Sequence, residues 1–282
     1  MQLWDNNGSL GIILYSPDPN GSGYVESWGA ANMGQGSAAV QWLAVERNGD
    51  GTTEVLQLWD NNGNLGMILY SPDPNGPGYV ESWSADDMGQ QSAAVQWLAV
   101  DRNGDGKTGV LQLWDNSVAL GNLGMILYSP DPNGPGYIVS WSNANISTYY
   151  DASNWFVVNR NGDGMSHILQ TFNFFGTLAM ALYDSDPNGP GYLLNSWTGT
   201  NMGNWYPASA WLAVEAGLDG STNIIQLFQN AISFSLGMVV YEPSSANQGY
   251  AVGGYISSFG TLPATALAFF AVDVPPPANT SL

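Results

Sequence analysis

Oxygen-bearing side chains recur at alternate positions around short glycine turns in four places, VERNGDGTTE (45–54), VDRNGDGKTG (100–109), VNRNGDGMSH (158–167) and VEAGLDGSTN (214–223). Such spacing, with glycine allowing the sharp bend, is one way to wrap a hard cation such as Ca²⁺. The first stretch offers Glu46, Asn48, Asp50 and Glu54, and the second Asp101, Asn103 and Asp105 but ends on Gly109. The third has Asn159, Asn161 and Asp163 with His167 in the last place, and the fourth keeps Glu215, Asp219 and Asn223. Two facts pull the other way. Asn-Gly-Asp-Gly is a good tight turn in its own right, because Asn and Gly accept positive φ. All four cations of the chain, Arg47, Arg102, Lys107 and Arg160, also lie in these stretches, and a cation beside carboxylates competes with a metal.

Aromatic side chains supply the second chemistry. Eleven of the twelve tryptophans fall at three recurring positions: Trp42, Trp97, Trp155 and Trp211; Trp4, Trp59 and Trp114; Trp28, Trp83, Trp141 and Trp197. The first two sets read as packing between neighbouring sheets. The third stands before loops of equal length that diverge at their tips. There Asn32, Asp87, Asn145 and Asn201 correspond, followed at the tips by Gln91, Tyr149, Tyr150, Trp205 and Tyr206. Aromatic faces beside amides and carboxylates can stack a sugar ring and hydrogen-bond its hydroxyls, so these residues, with the third tryptophan set, are the candidate ligand contacts. Asp5, Asn6, Asp60, Asn61, Asp115 and Asn116 are expected to surround the same mouths.

Catalytic residues are scarce. A hydrolase needs an acid and base pair or an activated nucleophile, and there is one histidine, His167, read as a loop residue, and no cysteine. Asp151 is the sole acidic candidate near the start of an inner strand, where a glycosidase wants two carboxylates. The net charge of −19 argues against a nucleic-acid partner and against anionic membrane surfaces. No apolar stretch approaches the length of a membrane helix and no signal peptide is visible. An extracellular or cell-surface location suits a glycan partner, with the cytoplasm left open.

These residues are carried by a repeat. Leu3, Leu58, Leu113, Thr171 and Leu227 align at spacings of 55, 55, 58 and 56, and each copy shows four short β-type runs. Run A is of the AVQWLAV type (39–45, 94–100, 153–158, 208–214, 266–272), and run B of the LQLW type (2–4, 55–59, 110–114, 168–172, 224–228). Run C, of the LGMILY type, starts near Leu10, Leu65, Leu123, Leu178 and Leu236. Run D starts at Tyr24, Tyr79, Tyr137, Tyr192 and Tyr250, after a PDPNGPG-type loop whose prolines and glycines need no role beyond a rigid turn.

The pattern predicts an all-β, five-bladed β-propeller with four antiparallel strands per blade; a two-sheet sandwich and a β-solenoid are the competitors. The chain opens on a B run and closes on an A run. Closure would remove both sheet edges, so the C-terminal strand is expected to complete the N-terminal blade. The expected blades are 1–36 plus 264–274, 37–91, 92–149, 150–205 and 206–263, one domain over 1–274 with a tail at 275–282.

The four glycine-turn stretches resemble the loop of FG-GAP or VCBS-type propeller repeats, in which an acidic residue, Asn or Asp, Asp-Gly and a final acidic residue follow one another. That family includes integrin α-subunit heads and propeller lectins, and its loops often hold calcium. The resemblance implies a propeller, calcium in the loops, and carbohydrate or protein partners. The expected function is a multivalent, lectin-like propeller with several similar shallow sites. The alternatives are a protein-binding or structural module, such as an adhesin, toxin or assembly subunit, and a five-bladed glycosidase. The sequence leaves the oligomeric state open.

Overall fold

The computed structural model describes residues 1–34, 39–89, 94–116, 122–148, 154–193, 196–203, 208–216, 219–229, 235–246 and 248–261, and every regular element among them is a β-strand. Five antiparallel sheets follow one another along the chain. The first has β1 (Gln2–Asn6), β2 (Ser9–Pro17) and β3 (Tyr24–Ala30); the second β4 (Ala39–Val45), β5 (Glu54–Asn61), β6 (Asn64–Pro72) and β7 (Tyr79–Ala85). The third has β8 (Ala94–Val100), β9 (Gly109–Asn116), β10 (Asn122–Pro130) and β11 (Tyr137–Thr148); the fourth β12 (Asn154–Val158), β13 (His167–Phe174), β14 (Thr177–Tyr183) and β15 (Trp197–Gly199). The fifth has β16 (Ala208–Ala216), β17 (Ser221–Gln229), β18 (Ser235–Ser244) and β19 (Gly249–Thr261).

In every sheet the strand order equals the chain order, the up-and-down meander of a propeller blade. The chain is all-β, in the five-bladed propeller class. The strand expected at 266–272 lies outside the described residues, so the first sheet has three described strands. The chain packs as two compact units, residues 1–149 with 188–191 and residues 150–187 with 192–282.

Local chemistry explains the hairpins. Asn7 and Asn62 adopt φ of 54° and 53°, each followed by a glycine also at positive φ, and they close the two-residue turns that pair Asn6 with Ser9 and Asn61 with Asn64. Asn-Gly supplies this twist without steric penalty. The strands between turns bury Leu56, Leu58, Leu65, Met67 and Leu69 in the first unit and Leu169, Leu178, Met180 and Leu182 in the second.

One polar feature recurs inside the sheets. Tyr70, Tyr128, Tyr183 and Tyr241 donate to Oε1 of the buried Gln57, Gln112, Gln170 and Gln226 at 3.3, 3.1, 3.1 and 3.1 Å. Beside them stand Trp42, Trp97, Trp155 and Trp211, with ring centroids 6.2, 6.3, 6.0 and 6.3 Å from the tyrosines. Burial pushes the Tyr128 hydroxyl up to about 12, so the phenol stays a donor and keeps the glutamine oxygen satisfied. The first tryptophan set is therefore packing, as its repetition predicts.

Two differences from the expected strands have physical causes. β11 runs on to Thr148 through what reads as a loop, pairing Leu123 with Ser147 and Asn122 with Thr148. Other copies carry Met-Gly there, with Gly34, Gly89 and Gly203 at φ of 133°, 117° and 119°. The third copy has Ile146-Ser147 instead, and without a glycine in the left-handed region the chain stays extended. The second difference is His167, expected in a loop: it is the first residue of β13, paired with Val158 and buried.

Candidate functional site

The loops of each sheet divide between its two ends. At one end lie the A–B loops with the glycine turns and the C–D loops; at the other lie the B–C hairpin turns and the D–A loops.

The A–B loops turn their oxygens on themselves. Glu46 Oε1 accepts the Gly51 N–H at 2.5 Å, and Asp50 Oδ1 accepts the Thr52 N–H at 2.8 Å. That backbone contact holds the Asp50 carboxyl below its ordinary value, and Asn48 adds to it. Asp101 accepts from Asp105 and Gly106 N–H at 3.2 and 2.8 Å, Asp105 Oδ1 from Lys107 N–H at 3.1 Å, and Asn103 Oδ1 from Arg102 Nη1 at 2.7 Å. Glu54, the expected last ligand of the first loop, stands apart from these turns. As the first residue of β5 it is 4 % exposed, accepting from Ser71 Oγ at 2.5 Å and from the Arg47 N–H at 3.3 Å. In this arrangement the oxygens are taken up by N–H groups of their own turns, and among the described residues no group of three His, Cys, Asp or Glu side chains is placed to hold a metal.

The same loops lock the second sheet to the third and the fourth to the fifth. The Glu46 N–H donates to Thr108 Oγ1 at 3.0 Å and the Thr108 N–H to the Glu46 carbonyl at 2.7 Å. Asn159 and Thr222 repeat the pair at 2.9 and 2.8 Å. The arginines reach further, into C–D loops: Arg47 Nη1 to the Gly134 carbonyl at 3.2 Å, Arg102 Nε to the Gly191 carbonyl at 2.9 Å, and Arg160 Nη1 to the Gln248 carbonyl.

The third tryptophan set belongs to this locking. Trp28, Trp83, Trp141 and Trp197 lie against Gly78, Gly136, Gly191 and Gly249, so closely that a Cβ on any of these glycines would stand 2.0–2.1 Å from the indole. These tryptophans sit within strands rather than at a loop mouth, half-buried. Trp83 also tilts against Tyr137 with centroids 6.4 Å apart. Glycine is needed because the indole takes the volume of any side chain.

At the other end, backbone bonds fix the roots of the D–A loops. Leu10 and Gly34, Leu65 and Gly89, and Leu178 and Gly203 are joined at 2.9, 2.6 and 2.8 Å, with return bonds from Met33, Met88 and Met202. The Asn6 amide donates to the Ala31 carbonyl at 2.8 Å and reaches Asn32 Oδ1 at 3.4 Å, and the Asn61 amide donates to the Asp86 carbonyl at 2.9 Å. Asp87 Oδ1 accepts the Gly89 N–H at 3.3 Å, and Asn145 Oδ1 accepts from the Asn122 amide at 2.9 Å. Asn32, Asp87, Asn145 and Asn201 are all exposed. Gln91, Tyr149, Tyr150, Trp205 and Tyr206 lie outside the described residues, as does Asp151.

Sequence reading missed one residue here. Phe175 occupies the hairpin position that Asn7 and Asn62 hold in other copies, at φ of 50° and 94 % exposed. Phe174 meets it edge to face with centroids 4.9 Å apart. Thr177 Oγ1 donates to the Thr200 carbonyl at 3.2 Å, which sets the turn beside the loop that continues to Trp205. A bulky residue in the left-handed region is a genuine outlier. The signal was the substitution of Phe for Asn before a turn glycine.

His167 Nδ1 lies 2.9 Å from Asp184 Oδ1. Burial pushes the Asp184 carboxyl up, but His167, with Arg160 nearby and Ser196, outweighs it and holds the group below the ordinary carboxylate value.

No family model matches the chain, and none of the curated proteins matches it. Among solved structures, a structural-genomics protein from Lactobacillus plantarum is similar with a TM-score of 0.53 at 9 % identity, over 90 % of this chain and 66 % of that one. The chain thus spans just under two thirds of that protein's length, and the likeness is one of fold. An endo-arabinase from Bacteroides thetaiotaomicron aligns with a TM-score of 0.40 at 12 % identity, over 92 % of this chain and 90 % of that one.

Proposed function

We propose that the chain is a carbohydrate-binding propeller whose shallow sites lie at the B–C and D–A end of its sheets. The observation that carries this reading is Phe175, a nearly fully exposed aromatic held at positive φ. In the same turn the exposed Asn173 accepts the Gly176 N–H at 2.8 Å, and the D–A loop of this sheet carries the exposed amide of Asn201. An apolar ring face stacks on a pyranose while amides bond its hydroxyls, and a strained backbone at a surface turn is a reason to look for function. The sheets repeat the same amide positions, so several weak contacts would add through avidity on a glycosylated surface outside the cell or at its edge. The FG-GAP or VCBS-type kinship is part of this proposal, supported by the four glycine-turn loops and the 55-residue spacing.

A glycan array probed with and without millimolar calcium tests the reading. Binding to at least one glycan class, weakened at least tenfold by Phe175→Asn, is the expected result. Loss of binding on chelation would support calcium in the A–B loops. No glycan bound, with a tight protein complex recovered, would replace the reading by a protein-binding one. That second reading has its own support in exposed apolar residues on the last strand of several sheets: Tyr24 and Val25, Ile138 and Val139, Val252 and Tyr255. A glycosidase would need Asp151 together with a second carboxylate.

A further inference from the structure

The second and third sheets are nearly identical in sequence, yet one position separates them. Glu54 opens β5 opposite Val45, and Gly109 opens β9 opposite Val100. Around Glu54 the carboxylate is received by Ser71 and the Arg47 N–H; around Gly109 the corresponding residues, Ser129 and Arg102, are both present. The equivalent places in the fourth and fifth sheets carry His167 and Asn223. Where Gly109 leaves out the side chain there is a cavity of about 410 Å³ within the first unit, lined by Gly109, Ser129, Asn103, Arg47, Arg102 and Lys107.

Three of the four cations of a chain with net charge −19 thus line a single cavity. Asp105 and Asp131 also line it, but their carboxylates accept from the Lys107 and Asn133 N–H groups of their own turns at 3.1 and 2.9 Å. The lining thus sets three cations against two carboxylates, with Arg47 Nε also 3.9 Å from Glu54 Oε2, in a recess where charges act more strongly than at open surface.

We infer that this cavity binds a small carboxylate, supplied by a ligand in the place where the second sheet supplies its own from Glu54. The Ser129 hydroxyl would donate to it as Ser71 donates to Glu54, and the Arg47, Arg102 and Lys107 charges would offset its desolvation. The volume admits a hexuronate as well as a simple carboxylic acid. The site lies at the A–B and C–D end of the third sheet and does not rest on the glycan reading of the opposite end.

Calorimetric titration of the whole chain at low ionic strength with sodium glucuronate, sodium acetate and glucose tests the inference. Either acid should bind one site while glucose does not, and the tighter acid identifies the source of the carboxylate. Gly109→Glu should abolish this binding by filling the cavity from within. A Cβ there meets the Tyr128 carbonyl at 3.1 Å and Leu127 Cδ1 at 3.3 Å, so a second variant is needed: Ser129→Ala should weaken binding about tenfold, the usual effect of losing a hydrogen bond to a charged group. Binding of neither acid, glucose binding as tightly as glucuronate, or a folded Gly109→Glu protein that binds like the parent would overturn the inference.

Discussion

The two ends of each sheet obey different rules. At the A–B and C–D end, side chains are committed to the neighbouring sheet: arginines to loop carbonyls, tryptophans to glycines, threonines to backbone. At the B–C and D–A end, hydrogen bonds among the described residues tie parts of one sheet together, as between Leu65 and Gly89 or Asn61 and Asp86. The sequence follows the same division. PDPNGPG is kept nearly unchanged in the C–D loops of the first four copies, while the D–A tips differ from copy to copy. An end that must fit its neighbour tolerates less change than one bonded within its own sheet.

Three measurements probe that contrast, beginning with the greatest effect. Trp83→Ala removes an indole from between Gly136 and Tyr137 and should lower unfolding free energy by about 3 kcal/mol, read from the urea midpoint. A loss within a few tenths would mean the interlocking contributes little.

The next test is pH. The Asp184 carboxyl is held below its ordinary value in the fold, so its contribution is complete above the ordinary carboxylate range and disappears as pH falls through the lowered folded value. The difference in stability between parent and Asp184→Asn should therefore be largest near neutrality and shrink in acid. A difference that does not vary with pH would show that the pair with His167 lacks the linkage inferred for it.

The smallest effect belongs to the open end. Phe175→Asn gives the left-handed position a residue that tolerates it and should raise stability by about 1 kcal/mol. Destabilisation would mean that Phe175 packs more than its exposure indicates, and the ligand reading of this turn would lose its basis.

The repeat and its punctuation made the fold legible in the sequence. Period-two apolar runs between Asn-Gly and Pro-Asn-Gly turns allow little but short antiparallel strands, and four strands appear in each of the second to fifth copies, the last one of the fourth copy starting at Trp197 rather than at Tyr192. What sequence could not tell was direction. Trp83 and Trp205 look alike as letters, yet Trp83 points into a glycine socket supplied by the next copy. Glu54 reads as a loop ligand until its pairing with Val45 turns its carboxylate toward Ser71. Phe175 escaped notice because a search for repeated features discounts the copy that departs from them.

The glycine socket has a consequence for how such a chain can evolve. The first four copies each offer an indole forward and the next four glycines, Gly78, Gly136, Gly191 and Gly249, a bare Cα backward, so both halves of these joints are encoded in a single repeat unit. A unit duplicated in frame brings a matching joint with it, and no compensating mutation is needed on either side. Point change can then concentrate on the loop tips, away from the joints, which is where the first three copies, otherwise nearly alike, already differ.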